Sequence, residues 1–179
     1  MASHSGMHER KVLIFPAGTE IGLEMFAALK GCRNMRLFAA GEDISNHARH
    51  LYPEYHVLPH VSHPTFAPAM ADLCRRLGIS HILPAHDDAL TALTTLRERL
   101  PAMVVAPSAE TCATTRSKRA TYLKLAGAVR TPRVFGDLDA IDHFPVFVKP
   151  DRGQGSLNAM RADDARQLAH AVQTAQDPL

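Results

Sequence analysis

Apolar runs recur at short intervals through the first 110 residues, and a segment with helical spacing follows each of the first four. The strand-sized runs cover residues 11–15, 35–40, 56–58, 81–83 and 103–106. Uninterrupted apolar runs of this length are typical of strands buried on both faces. The segments with helical spacing cover residues 23–30, 45–51, 66–77 and 89–99. The alternation predicts an α/β fold, a Rossmann-like open parallel sheet with helices on both faces.

The pattern changes after residue 110. A helix is predicted from about Arg116 to Leu125, a strand over 144–149, a second strand over 158–161 and a last helix over 164–173. This part is too short for a complete sheet and predicts a partial α+β subdomain. The sequence therefore predicts a disordered leader (1–10), a Rossmann-like domain (11–110) and an incomplete second domain (111–179).

Composition excludes several classes of protein. The hydrophobic share of 46% suits a globular core, and the net charge of +2 includes no block of like charge. Nucleic acid and membranes are therefore not implied as partners. The three cysteines, Cys32, Cys74 and Cys112, form no CxxC pair. This spacing indicates neither a disulfide framework nor a zinc site, and we expect a cytoplasmic protein.

Five histidines crowd one region, at His47, His50, His56, His60 and His63. They surround prolines in a predicted loop and show no regular ligand spacing. Exposed loop histidines are therefore favoured over a metal site.

The loop after the first strand, 17–22, has two glycines with GxxxG spacing rather than the GxGxxG of dinucleotide sites. Glu42 or Asp43 follows about 20 positions later, as a ribose-binding carboxylate would. We favour tight packing of the turn over NAD binding. Loops at the carboxyl ends of parallel strands line ligand crevices in any case. The candidate substrate contacts there are Gly18, Thr19, Glu20, His86, Asp87 and Asp88; an equal alternative makes Asp87 or Asp88 a helix N-cap.

Residues 144–156 combine a strand with a lysine and a glycine-rich loop, Pro-Asp-Arg-Gly-Gln-Gly-Ser. Lys149 follows Val146, Phe147 and Val148, which all look buried. Because an unpaired buried ammonium is costly, this lysine favours phosphate binding over a side chain that snorkels to water. Lys118 is more ambiguous, since a solvated basic helix start would also explain it.

Together these segments resemble the ATP-grasp superfamily, in particular proteins like the large subunit of carbamoyl-phosphate synthase. The segments that carry the resemblance are Lys118, 127–132, 144–150 and 153–156. Residues 15–22 and 82–88 are similar to the Rossmann-like pre-ATP-grasp domain. The resemblance covers residues 11–173.

The resemblance implies that Lys118 and Lys149 hold the phosphates of ATP. It assigns the mobile loop that closes over them to Gly153, Gln154, Gly155 and Ser156. Mg²⁺ would bridge the phosphates, and a carboxylate substrate would become an acyl-phosphate that a nucleophile attacks. The loop departs from the family pattern, because Ser156-Leu-Asn158 replaces a further glycine.

The family takes its Mg²⁺ ligands and the acidic residue of its adenine hinge from a segment beyond the last helix. Asp163, Asp164 and Asp177 do not map onto these groups, so no metal ligand is named. We therefore expect the N-terminal portion of an ATP-dependent carboxylate–amine ligase, inactive alone and able to form a homodimer. A non-catalytic nucleotide- or metabolite-binding module is the alternative, and an NAD-dependent oxidoreductase ranks last.

Overall fold

The computed structural model describes residues 9–153 and 158–175. The chain forms two compact units, with the division between Ala109 and Glu110. Unit 1 is the part up to Ala109, and unit 2 is the part from Glu110 onward.

Unit 1 contains a five-stranded parallel sheet in the order β3-β2-β1-β4-β5. The predicted Rossmann-like open sheet is confirmed. Its strands are β1 (Arg10–Phe15), β2 (Met35–Gly41), β3 (Tyr55–Val57), β4 (His81–Pro84) and β5 (Met103–Val104). Its helices are α1 (Glu20–Leu29), α2 (Ala48–Leu51), α3 (Phe66–Leu77) and α4 (Asp87–Thr95).

Side chains of β1 alternate between two cores, one on each face of the sheet. Leu13 and Phe15 join a core with Phe66 and Met70 of α3, whereas Ile14 joins a core with Ala48 of α2. Because β1 is the central strand and both its faces are covered, it needs the continuous apolar run seen in the sequence.

Local capping moves two predicted helix starts. α1 begins at Glu20 rather than at residue 23, because the Thr19 side chain accepts a hydrogen bond from the Gly22 N–H and caps the helix. α4 begins at Asp87 rather than at residue 89, and a separate 3₁₀ turn covers Arg97–Arg99. α3 has the predicted bounds, and Gly78 ends it with a left-handed backbone, φ 66°.

Unit 2 is smaller and less regular. The helix predicted from about residue 116 to residue 125 is confirmed as α6 (Lys118–Leu125), and a separate helix that was not predicted, α5 (Ala109–Arg116), precedes it. The two helices are separated at Ser117, whose extended backbone and side-chain hydrogen bond to the Ala120 N–H make it the N-cap of α6.

A two-stranded antiparallel sheet and one helix form the core of unit 2. β6 (Val146–Val148) pairs with β7 (Met160–Ala162), and α7 is Ala165–Thr174. The buried side chains of this core come from all three elements and are Val146, Val148, Ala162, Leu168 and Ala171. The prediction that Phe147 is buried is wrong: it is 66% exposed, because alternate side chains of a strand point to opposite faces and α7 packs on one face only.

Within the described ranges 9–153 and 158–175, no helix has the length and apolar character required to cross a membrane.

Candidate functional site

The predicted site residues that the structure describes lie in two regions: a crevice in unit 1, and in unit 2 the segment that connects Lys118 and Lys149, beside a cavity that Lys149 lines. The crevice lies where the central strands end. It has a volume of about 230 Å³, and its lining includes Gly18, Thr19, His86 and Asp88. These are four of the six predicted substrate contacts. Glu20 and Asp87 do not belong to the lining.

Thr19 connects the loops that follow β1 and β4. Its hydroxyl donates to the Ala85 carbonyl oxygen at 2.8 Å and accepts from the Gly22 N–H at 3.0 Å. Gly22 is confined by packing, because a Cβ there would lie 2.7 Å from the Ala17 carbonyl oxygen. This close approach supports the packing interpretation of the two glycines over a dinucleotide loop.

His86, rather than an aspartate, caps α4. Its Nδ1 accepts a hydrogen bond from the Asp88 N–H at 3.2 Å. The alternative that Asp87 or Asp88 is the N-cap is therefore wrong. Both aspartates lie in the first helical turn, where their charge stabilises the positive end of the helix dipole.

The crevice also contains Asn46 and Tyr55, which the sequence reasoning missed, and Glu42 and His60, which it considered only as a ribose-binding carboxylate and as one of the clustered histidines. The Tyr55 hydroxyl accepts from the Asn46 side-chain amide at 3.1 Å and donates to the Glu42 carbonyl oxygen at 3.3 Å. Burial raises the pKa of Tyr55 further above its ordinary value, which favours the neutral phenol that makes these two hydrogen bonds. β2 ends at Gly41 and runs parallel to β1. The position of Glu42 directly after this strand was therefore the sequence signal that could have placed it at the crevice.

The clustered histidines form no metal centre among the residues that the structure describes. His60 Nδ1 is 2.8 Å from the Ser62 hydroxyl oxygen, and His63 Nδ1 is 2.8 Å from that of Thr65. These two histidines, His60 and His63, thus stabilise local turns.

In unit 2, the half-buried Lys149 follows directly after β6. Its ammonium group donates a hydrogen bond to the Tyr122 hydroxyl oxygen at 2.7 Å. The same nitrogen is 5.1 Å from the centroid of the Tyr122 ring. The charge therefore lies at the hydroxyl end of the ring rather than over its face, and the hydrogen bond is the principal interaction.

Lys118 begins α6 and holds the segment after Lys149. Its ammonium group donates to the carbonyl oxygens of Pro150 at 2.8 Å, Asp151 at 3.2 Å and Gly153 at 3.3 Å. An ammonium has three protons, so three acceptors match its donor capacity. The interpretation of Lys118 as merely a solvated helix start is therefore wrong.

The Asp151 side chain also joins the segment after Lys149 to the start of α6. Its carboxylate accepts hydrogen bonds from the Arg119 N–H at 2.8 Å and the Ser117 hydroxyl at 3.1 Å. Partial burial of Asp151 opposes its ionisation, but these two hydrogen bonds and the charges of Arg152 and Lys118 outweigh it. The pKa of Asp151 therefore lies below its ordinary value.

Gly153 has φ 143°, a conformation that glycine adopts readily and other residues rarely do. The rest of the predicted phosphate loop, Gln154, Gly155 and Ser156, lies outside the described residues.

A cavity of about 540 Å³ lies beside Lys149. Apolar side chains dominate its wall, including Phe135, Ile141, Val146 and Leu168, and the polar side chains are those of Arg119, Tyr122, Arg133, Asp137, His143 and Lys149. Largely apolar walls with a few polar groups are typical of pockets for small organic molecules.

The sequence matches no protein-family model and no curated protein. Solved structures do match. The biotin carboxylase domain dimer of the 2-oxoglutarate carboxylase from Hydrogenobacter thermophilus, in complex with MgADP, ADP and bicarbonate, is 20% identical, with a TM-score of 0.68 over 92% of this chain and 40% of that one.

Two further structures are ligases or synthetases. L-Amino acid ligase from Bacillus licheniformis is 16% identical, with a TM-score of 0.65 over 93% of this chain and 42% of that one. N5-carboxyaminoimidazole ribonucleotide synthetase from Thermotoga maritima is 16% identical, with a TM-score of 0.64 over 91% of this chain and 43% of that one. The chain thus spans less than half the length of these three proteins, and it shares the fold of the part of each that it covers.

Proposed function

We propose that this chain is the N-terminal portion of an ATP-grasp ligase-like enzyme, which binds MgATP and activates a carboxylate as an acyl-phosphate for attack by a nucleophile. The observation that carries the proposal is the position of Lys149. Lys149 lines the 540 Å³ cavity and directly precedes the segment 150–153, three of whose carbonyl oxygens accept hydrogen bonds from Lys118. The folds of the solved carboxylases and ligases support the same assignment.

The proposed phosphate contacts are Lys149 and the loop residues Gly153, Gln154, Gly155 and Ser156, together with Lys118, which would exchange one of its carbonyl acceptors for a phosphate oxygen. Lys149 contributes a point charge, and glycines permit close approach of backbone N–H groups to an anion. Lys118 keeps the start of this loop beside α6 through its three carbonyl contacts. Fixed cations of this kind stabilise charge that develops on a transferred phosphoryl group.

The residues that the structure describes do not provide a metal centre by themselves, since no group of three or more of their His, Cys, Asp and Glu side chains could hold an ion. We therefore assign no Mg²⁺ ligand here. In the proposed enzyme Mg²⁺ would arrive with the nucleotide and would offset the charge of its phosphates.

We assign the small carboxylate substrate to the unit 1 crevice, with Gly18, Thr19, Glu20, His86, Asp87 and Asp88 as its contacts. The support is that four of these residues line one crevice at the carboxyl ends of β1 and β4. This edge of an open α/β sheet is where ligands commonly bind.

The test is calorimetric titration and thermal unfolding with MgATP, on the wild-type chain and two lysine variants. Lys149→Ala removes the proposed phosphate contact. The matched control, Lys124→Ala, removes an exposed lysine on α6 whose charge is 3.9 Å from Glu110. We expect MgATP to stabilise the wild type and the Lys124→Ala protein, and to leave Lys149→Ala unchanged. Equal stabilisation of all three proteins would refute the phosphate role of Lys149.

We also propose self-association through residues after Phe144, as expected from the sequence. Phe144 and Phe147 are 37% and 66% exposed, and the related domain from Hydrogenobacter thermophilus is described as a dimer. Light scattering that shows only monomer at high protein concentration would contradict this.

A further inference from the structure

One helix, α6, contains the predicted phosphate lysine Lys118 and also contacts the other one, Lys149. Lys118 and Tyr122 are four residues apart on α6, so they lie one turn apart on the same face. Lys118 binds the carbonyl oxygens of the turn after Lys149, and Tyr122 binds the ammonium group of Lys149 itself. α6 therefore determines where this segment and its charge are placed.

We propose that Tyr122 is a positioning residue that orients the Lys149 ammonium toward phosphate; the ligand in this proposal rests on the function proposed above. The Tyr122 hydroxyl accepts one of the three ammonium protons at 2.7 Å. In this proposal the ammonium donates its other two protons to phosphate oxygens. A lysine without this partner would spread its charge over many rotamers, because its four-carbon side chain is flexible.

The surroundings of Tyr122 fit this role better than a purely structural one. Tyr122 is half-buried and lies on the wall of the same cavity as Lys149. It is not among the buried side chains that form the core of unit 2. Its hydroxyl, rather than its ring, contacts the lysine. Removal of the hydroxyl alone should therefore disturb the lysine and leave the core intact.

The first experiment needs no nucleotide. Wild-type chain, Tyr122→Phe and Tyr52→Phe are treated with limiting acetic anhydride, and acetylation of each lysine is measured by mass spectrometry. Tyr52→Phe is the matched control, because it deletes a hydroxyl that is buried in unit 1 and has no hydrogen-bond partner among the described residues. Hydrogen exchange of α6 and β6 is followed in the same samples.

We expect acetylation of Lys149 to rise about threefold in Tyr122→Phe, because the amine loses the partner that holds it. Acetylation of Lys124 and amide exchange in α6 and β6 should not change. Unchanged acetylation of Lys149 overturns the proposal. So does a rise that occurs only with faster exchange in α6, because local unfolding would then explain it.

The second experiment measures the dissociation constants of MgATP and of inorganic triphosphate. If Tyr122 orients Lys149 toward phosphate, Tyr122→Phe weakens the binding of both ligands about fivefold, and Tyr52→Phe has no effect. Wild-type binding that Tyr122→Phe leaves unchanged overturns the orientation toward phosphate. Absence of binding to the wild type refutes the proposed function instead, and the acetylation result still decides whether Tyr122 positions Lys149.

Discussion

The two units use different physical means to hold their candidate site residues. In unit 1, a five-stranded sheet with a core on each face supports loops at the carboxyl ends of its strands. In unit 2, a two-stranded sheet with one helix buries few side chains. There the positions of Lys118, Asp151 and Lys149 depend on hydrogen bonds to charged groups.

In unit 2, where the apolar core is small, hydrogen bonds of charged side chains hold the candidate site residues in place, as apolar packing does in unit 1. A close-packed core depends on the volumes of many side chains, and truncation of one of them leaves a cavity that lowers stability. Hydrogen bonds to charged groups are fewer and more exposed, and they respond to pH. The following predictions test this comparison from its largest expected effect to its smallest.

Truncation of a buried aromatic ring should be most costly in unit 1. Phe66 is 1% exposed, and its ring centroid is 5.3 Å from that of Phe15. Phe66→Ala should destabilise unit 1 by about 3–5 kcal/mol through lost burial and a residual cavity. In unit 2, Phe147→Ala should change stability by less than about 0.5 kcal/mol, since this ring is exposed. Hydrogen exchange resolved by unit measures both, and similar losses would end the contrast.

The glycine turn of unit 1 should tolerate no side chain at Gly22. A Cβ there would lie 2.7 Å from the Ala17 carbonyl oxygen and 2.8 Å from that of Pro16. Gly22→Ala should therefore cost about 1–3 kcal/mol, measured by denaturant unfolding. The control is Gly31→Ala, because a Cβ at Gly31 has no atom within 4 Å among the described residues. Equal stability of the two variants would show that the turn can move.

Loss of the Asp151 carboxylate should loosen unit 2. Asp151→Ala removes the acceptor for the Arg119 N–H and the Ser117 hydroxyl, and should cost about 1 kcal/mol, as the loss of a helix cap does. Asp137→Ala is the matched control, because Asp137 caps only the exposed 3₁₀ turn Leu138–Ala140. Hydrogen exchange at the start of α6 reports the effect. An Asp137→Ala effect as large as that of Asp151→Ala would remove the special role of this cap.

The charge of Asp151 should make unit 2 sensitive to acid. Its folded pKa is below the ordinary value of about 4, so its contribution is complete above that value and is lost as pH falls through the folded pKa. Asp151→Asn keeps an acceptor oxygen but removes the charge, and should be less stable than wild type at pH 7 by less than about 1 kcal/mol. Thermal unfolding from neutral pH to below the folded pKa of Asp151 should show the stability difference between Asp151→Asn and wild type vanish in acid. A constant difference would assign the effect to geometry rather than to charge.

Prediction from the sequence was most accurate where one strong local signal decided the structure. The bounds of α3 were predicted from its apolar spacing and Gly78, and the parallel sheet from the alternation of strands and helices. Errors occurred where a side-chain cap overrode the apolar pattern. Thr19, His86 and Ser117 each accept a backbone hydrogen bond and move the start of a helix, and a pattern of hydrophobic positions does not register that contact.

The candidate sites divide in the same way. The sequence indicated Lys149 and its glycine loop, because a lysine after an apolar strand is rare enough to be informative. It did not indicate Tyr122, which lies 27 residues earlier in the chain and reaches Lys149 only through the fold. Asn46 and Tyr55 were missed for the same reason, since they meet at the crevice only after β1, β2 and β3 pair.

The sequence by itself determined the order of strands and helices in unit 1, the burial of its first strand on both faces and the position of Lys149 at the end of a strand. These depend on apolar periodicity and on the backbone limits of glycine, which act locally. The tertiary structure decided which hydroxyl holds Lys149, which carbonyl oxygens hold Lys118 and which residues line the crevice. Such contacts join residues far apart in the chain, so they exist only when packing has brought their elements together.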